Sequence, residues 1–124
     1  MKVWTYETAD KKFSKLIIER DKKCLCCGTN KKRLNCSHYW NRQHYSTRYD
    51  FDNCIALCVS CHTLNRDNWE ADRKGEYRAF MIKRLGKKGF KDLEIKHNQR
   101  VKRRDAIIEF MEYYKKLKEK QFVS

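Results

Sequence analysis

Two cysteine doublets, Cys24-x2-Cys27 and Cys58-x2-Cys61, constrain this chain more than any other feature. A CxxC turn points two sulfurs at one ion. Two such turns far apart in sequence staple remote segments together through a tetrahedral metal, most often zinc. A chain of 124 residues builds one modest core that gains from such a staple. The cysteine total of seven is odd, which argues against a complete disulfide framework, and CxxC spacing in a reducing compartment points to metal ligation. Cys24, Cys27, Cys58 and Cys61 are therefore expected to hold a structural Zn²⁺. Cys26 is the poorer competitor because it adjoins Cys27, and Cys36 and Cys54 read as buried strand residues.

The charge balance narrows the partner. Thirty Lys+Arg against sixteen Asp+Glu give a formal +14 and an isoelectric point near 9.6. That balance favours a polyanion, nucleic acid first and an anionic membrane surface second. No apolar run approaches the roughly 18 residues a membrane span needs, and Met1–Arg20 lacks the apolar centre of a signal peptide. A soluble, cytoplasmic protein of a bacterial or phage-infected cell, without a membrane partner, is the expectation.

Along the chain, residues 1–124 read as a single domain. Phe13, Leu16, Ile17 and Arg20 follow helical periodicity from about residue 10 to 23, with Asp10 as the expected cap. A core of about 24–70 follows. In it, Gly28 suits the turn of a zinc knuckle, and Leu34–Trp40 and Asn53–Val59 are short, partly alternating runs predicted as strands. The polar and aromatic stretch between them is predicted as a long loop. A helical extension of about 75–121 completes the chain. Tyr77, Phe80, Met81 and Leu85 form a stripe that stops before Gly86, Lys87–Gly89 reads as a linker, and Lys102–Gln121 reads as a long helix.

The chemistry is expected at His38-x14-Asn53-x8-His62. Phosphodiester hydrolysis needs a base to activate water and a cation for the developing charge. A neutral histidine suits the first task, best when its second ring nitrogen donates to a fixed carbonyl. Asn53 is expected to supply that carbonyl, making His38 and Asn53 the catalytic pair, with His62 as ligand to a catalytic Mg²⁺ or Mn²⁺. Singly, each has a structural alternative: a hydrogen-bonded histidine, a turn asparagine, a spare zinc ligand. Their joint spacing between two knuckles favours catalysis.

Cys24–Gly28, Ser37-His38-Tyr39, Asn53 and Cys58-x2-Cys61-His62 resemble the HNH (His-Me finger) nucleases. The resemblance implies an α+β fold: a zinc-stapled treble-clef ββα-metal core with flanking N- and C-terminal helices. It also implies His38 as base, Asn53 as its orienter and His62 on the metal. Lys12-Phe13, Arg20-Asp21, the first knuckle, His38-Tyr39, Arg48-Tyr49-Asp50 with Asn53, and the Tyr77–Gly86 segment are similar to the phage NinG/Rap recombination nucleases over roughly residues 10–95. That resemblance implies branched DNA, of Holliday-junction or D-loop type, as substrate. Ser37 stands where many HNH enzymes carry an acidic or histidine ligand. Asp50 or Asp52, or substrate phosphate and water, would then complete the shell around the catalytic ion. Chains like NinG also tend to carry asparagine where this one has His62.

Lys31, Lys32, Arg33, Arg42 and Arg48 flank the expected site and are the candidate phosphate grips. Tyr39, Trp40, Tyr45 and Tyr49 crowd the same loop; some must be core, and one or two are candidates to wedge into an opened branch point or stack on bases. The apolar face of the last helix either packs on the domain, the expected outcome, or forms the seam of a homodimer. The reading is a metal-dependent DNA endonuclease leaving 5′-phosphate and 3′-hydroxyl ends. The alternatives are a non-catalytic zinc-finger module that binds nucleic acid, and an HNH endonuclease acting on linear duplex.

Overall fold

The computed structural model describes residues 2–123. Its first helix, α1 (Tyr6–Asp21), begins four residues before the expected Asp10 because Thr5 is the cap: its Oγ1 accepts the N–H of Thr8 at 3.2 Å. Asp10 lies a turn inside and faces a different partner, described below. Ala9, Phe13 and Ile17, spaced four apart, are the buried face. The helix ends at Lys22, in the left-handed conformation, whose N–H bonds Ile18 O at 2.8 Å.

Strands β1 (Leu34–His38) and β2 (Cys54–Cys58) form a two-stranded antiparallel sheet that pairs Leu34 with Cys58, Cys36 with Ala56 and His38 with Cys54. Each is shorter than predicted, because a 3₁₀ turn at Phe51–Asn53 precedes β2 and the loop begins directly after His38. Every residue of β2 is buried. Side chains alternate across a strand, so Ile55 and Leu57 join Trp69, Tyr77, Met81, Phe90 and Leu93 on one side. Cys54 joins Phe13, Ile17, Ile107 and Phe110 on the other. Fully buried side chains such as Ile55, Leu57 and Met81 each contribute about 2 kcal/mol of apolar burial.

The outer edge of β2 is closed by the end of α1 and the first knuckle. Arg20 donates to Cys54 O (2.6 Å) and Phe51 O (2.8 Å), Ala56 N–H donates to Asp21 Oδ2 (2.8 Å), and Leu25 N–H donates to Ala56 O (3.0 Å). Main-chain groups that would otherwise invite another strand are thereby satisfied.

Beyond β2 the chain makes a five-residue π-helical turn, Ser60–Leu64, and an irregular stretch before α2 (Glu76–His97). Only a single helical turn thus follows the second doublet directly. What the structure shows is a small α+β fold with a two-stranded sheet and a cysteine cluster. Gly86, at φ 77° and ψ 164°, interrupts α2 where a stop was expected, but Lys87–Gly89 is helical rather than a linker and carries Phe90 and Leu93 into the core. In α3 (Arg103–Val123), Ala106, Ile107 and Phe110 are buried. The stripe that offered a dimer seam therefore packs against α1 within the chain. No helix among the described residues is long and apolar enough to cross a membrane.

Candidate metal centre and histidine cavity

The Sγ atoms of Cys24, Cys27, Cys58 and Cys61 all lie within 4.8 Å of one another, and those of Cys27 and Cys58 are 3.8 Å apart. Four sulfurs about 2.3 Å from a zinc ion stand about 3.8 Å apart at tetrahedral angles. The cluster therefore has the donors and dimensions to hold a metal such as zinc. The first knuckle is set by Gly28 at φ 80°, whose N–H bonds Cys24 O at 2.8 Å, and by Cys24 N–H on Thr29 O at 2.9 Å. Cys58 ends β2, and Cys61 sits in the π turn, where its carbonyl receives Trp69 N–H at 2.8 Å.

Burial pushes the Cys24 thiol up, but the backbone amides of Cys27, Cys58 and Cys26 more than reverse this and bring it to about 7. Burial and the neighbouring sulfurs push Cys61 well up. Thiolates this close repel one another, and a divalent cation is what neutralises them. Cys26 is exposed and stands outside the group of four.

His38 and His62 meet at a second place, a cavity of about 320 Å³ that Asp10, Cys36, Arg42 and Glu70 also line. His38, the last residue of β1, is aimed by one hydrogen bond, Nε2 to Arg48 O at 2.9 Å. A carbonyl only accepts, so Nε2 carries the proton and the lone pair sits on Nδ1, which has no hydrogen bond among the described residues. Burial is the main cause holding the ring down to about 4, aided by the charges of Arg42 and Arg48 and opposed by Asp10 and the Arg48 carbonyl. The imidazole is neutral at physiological pH. His62 Nδ1 faces Asn35 Nδ2 at 3.3 Å and its Nε2 faces Glu70 Oε2 at 3.2 Å. Burial also lowers its affinity for a proton, against the pull of Glu70.

The other expected residues sit differently. Asn53 is fully buried, and its side-chain hydrogen bonds go elsewhere than to His38. Its Oδ1 accepts Trp40 N–H at 2.9 Å, and its Nδ2 donates to Trp40 O at 3.0 Å and Thr47 O at 3.1 Å. It ties Trp40 to Thr47, the residue before Arg48, and the carbonyl that meets His38 is the main-chain carbonyl of Arg48 in place of the one expected from Asn53.

Asp50, the tentative ligand to the catalytic ion, lines a different cavity. Its Oδ1 accepts Asp52 N–H at 2.8 Å, capping the 3₁₀ turn, and its Oδ2 pairs with Lys96 Nζ at 2.7 Å. Ser37 points into the core, hydroxyl to hydroxyl with Tyr77 at 2.8 Å. Arg48 is no free phosphate grip: it is buried, with its guanidinium on the Asp10 carboxylate (Nε to Oδ1 2.9 Å) and on Arg42 O (2.7 Å). Arg42 does remain available, with its side chain 62% exposed on the cavity and 3.6 Å from Asp10. Lys31, Lys32 and Arg33 are exposed on the approach to β1. The loop aromatics are engaged within the chain: Trp40 stacks on His97, Tyr39 packs on Tyr77 and Phe90, Tyr49 stacks on Phe110, and Tyr45 lies under Arg48.

Nothing in the sequence marks Asp10 or Glu70 as a cavity residue, because only the fold brings each of them there. Cys36 and Cys54 do lie on the strands as expected, yet with His38 they form a second group of potential metal ligands, all within 4.8 Å of one another.

A family model described as bacteriophage lambda NinG protein matches residues 2–121. The chain belongs to the NinG family. The match extends the roughly 10–95 of the resemblance to include α3, and it places this NinG-family chain with phage proteins related to recombination. No curated protein and no solved structure matches it significantly.

Proposed function

We propose that this NinG-family chain is a metal-dependent DNA endonuclease of the HNH type, cutting branched recombination intermediates. The observation that carries the reading is His38: a neutral ring, fixed through Nε2 on the Arg48 carbonyl and unbonded at Nδ1, that lines a cavity together with His62 and two carboxylates. Nδ1 is placed to take a proton from water as it attacks phosphorus. Arg42, exposed on the same cavity, would bind a non-bridging phosphate oxygen.

An imidazole with the Glu70 carboxylate beside it at 3.2 Å is a donor set that suits a hard divalent ion such as Mg²⁺ or Mn²⁺. When bound there, that ion supplies charge stabilisation at the leaving 3′ oxygen. The products are 5′-phosphate and 3′-hydroxyl ends. The four-cysteine cluster would hold Zn²⁺ as a staple, fixing β2 and the His62 turn relative to each other.

The test is cleavage of labelled four-way junction, flap and linear duplex DNA in Mg²⁺ or Mn²⁺, with the ends mapped. Preferential cutting of branched DNA supports the reading. Equal or better cutting of linear duplex replaces the substrate class. Tight binding to all three without cutting replaces the enzyme with a zinc-stapled DNA-binding module.

A further inference from the structure

We infer that Cys36, His38 and Cys54 form a second, soft-metal site whose occupation by Zn²⁺ shuts the histidine cavity down. The hairpin register sets His38 opposite Cys54 and Cys36 opposite Ala56. Residues two apart on a strand share a face, so Cys36, His38 and Cys54 project together toward α1. Their ligand atoms lie within 4.8 Å of one another. Tetrahedral zinc with two sulfurs and one nitrogen needs separations of about 3.5–3.8 Å, a contraction of about 1.3 Å at most.

The nitrogen is already prepared. Metal-bound histidines commonly donate their other ring N–H to a backbone carbonyl, which fixes the tautomer. His38 Nε2 does this to Arg48 O at 2.9 Å, leaving Nδ1 for the ion. Cys36 and His38 line the cavity, which would give an ion its entry. Binding releases the two thiol protons to solvent, and two thiolates with a neutral imidazole balance the dication. Two sulfurs and an imidazole select zinc over magnesium.

The site stands on this geometry alone, whereas its inhibitory effect rests on the proposed nuclease activity. A zinc ion there takes the same Nδ1 that would accept the water proton. The intact protein would thus hold one zinc in its four-cysteine cluster and lose cutting when a second is taken up.

The experiment is a Co²⁺ titration of full-length reduced protein already carrying one zinc, read by the thiolate-to-cobalt charge-transfer absorption. One further equivalent is expected to bind, and Cys36→Ala is expected to keep its first zinc while binding cobalt at least about tenfold more weakly, a loss of about 1.4 kcal/mol. If Cys36→Ala fails to retain the first zinc, Cys36→Ser preserves size while removing the soft ligand. Absence of the second equivalent in wild type, or its survival in a folded Cys36 variant, overturns the site. In parallel, added Zn²⁺ should slow Mg²⁺-dependent cleavage of a four-way junction at least about tenfold as zinc fills this second site. Unchanged cleavage with the site filled overturns the inhibition alone. A filled site in a protein that never cuts overturns the nuclease reading and leaves the site standing.

Discussion

Replacing Asn53 with alanine tests whether this residue acts by clamping the loop. The side chain is fully buried and makes three hydrogen bonds, to Trp40 N, Trp40 O and Thr47 O, at 2.9, 3.0 and 3.1 Å. A neutral hydrogen bond contributes about 1 kcal/mol net, and a main-chain group left buried without a partner costs about 1–3 kcal/mol. Three such groups put the loss near 3 kcal/mol, moderated where the loosened loop admits water. Asn53→Asp should cost at least as much, since its second oxygen would face the Trp40 and Thr47 carbonyls instead of donating to them. The assay is urea unfolding of the zinc-loaded protein followed by tryptophan fluorescence, with nitrogen-15 NMR of the His38 ring alongside. The His38 Nε2–H signal should vanish in Asn53→Ala although no direct hydrogen bond to His38 has been removed. A loss below about 1 kcal/mol with the ring signal intact would refute the clamp.

Three other outcomes follow from the same geometry. Ser37→Ala should cost about 1 kcal/mol in urea unfolding by removing the bond to Tyr77, and should leave the Mg²⁺ concentration dependence of cleavage unchanged. Asp10→Asn strands the buried Arg48 charge and weakens the bond from Tyr49 Oη at 3.0 Å, so thermal or urea unfolding should register a loss of about 3 kcal/mol. His38 binds its proton at about 4 in the folded chain against an ordinary 6.5, so between those values the unfolded state holds more protons. Its contribution is therefore complete above pH 6.5 and lost as pH falls toward 4, by up to about 3 kcal/mol, readable as a difference between wild type and His38→Gln in urea midpoints against pH.

What could be read from the sequence follows from how locally each feature is specified. The four-cysteine group was legible because a CxxC turn fixes two ligands within four residues, and only the meeting of two turns had to be assumed. The strands and helices were legible from periodicity, with errors where tertiary partners intervened. Asp10 looked like a cap because aspartate favours that position, but Thr5 caps the helix while Asp10 faces Arg48. Gly86 was legible as a break, yet packing of Phe90 and Leu93 restored the helix beyond it.

The histidine cavity was legible only in part. His38 and His62 could be named from spacing, but the group that aims His38 is a main-chain carbonyl, which leaves no side-chain signature. Arg48 looked like a phosphate grip because a loop arginine usually faces water, and only the fold reveals the Asp10 carboxylate that engages it. Cys36 and Cys54 acquire their relation to His38 from strand register, which no single strand encodes.

The most direct test of the central claim is the single-turnover rate at which His38→Ala, checked for retained zinc, cuts a labelled four-way junction in Mg²⁺, with and without added imidazole. Loss of a general base should slow cutting by about 10²–10⁴-fold, with part of the rate restored by imidazole entering the emptied position. A zinc-retaining His38→Ala protein that cuts at the wild-type rate would contradict the account.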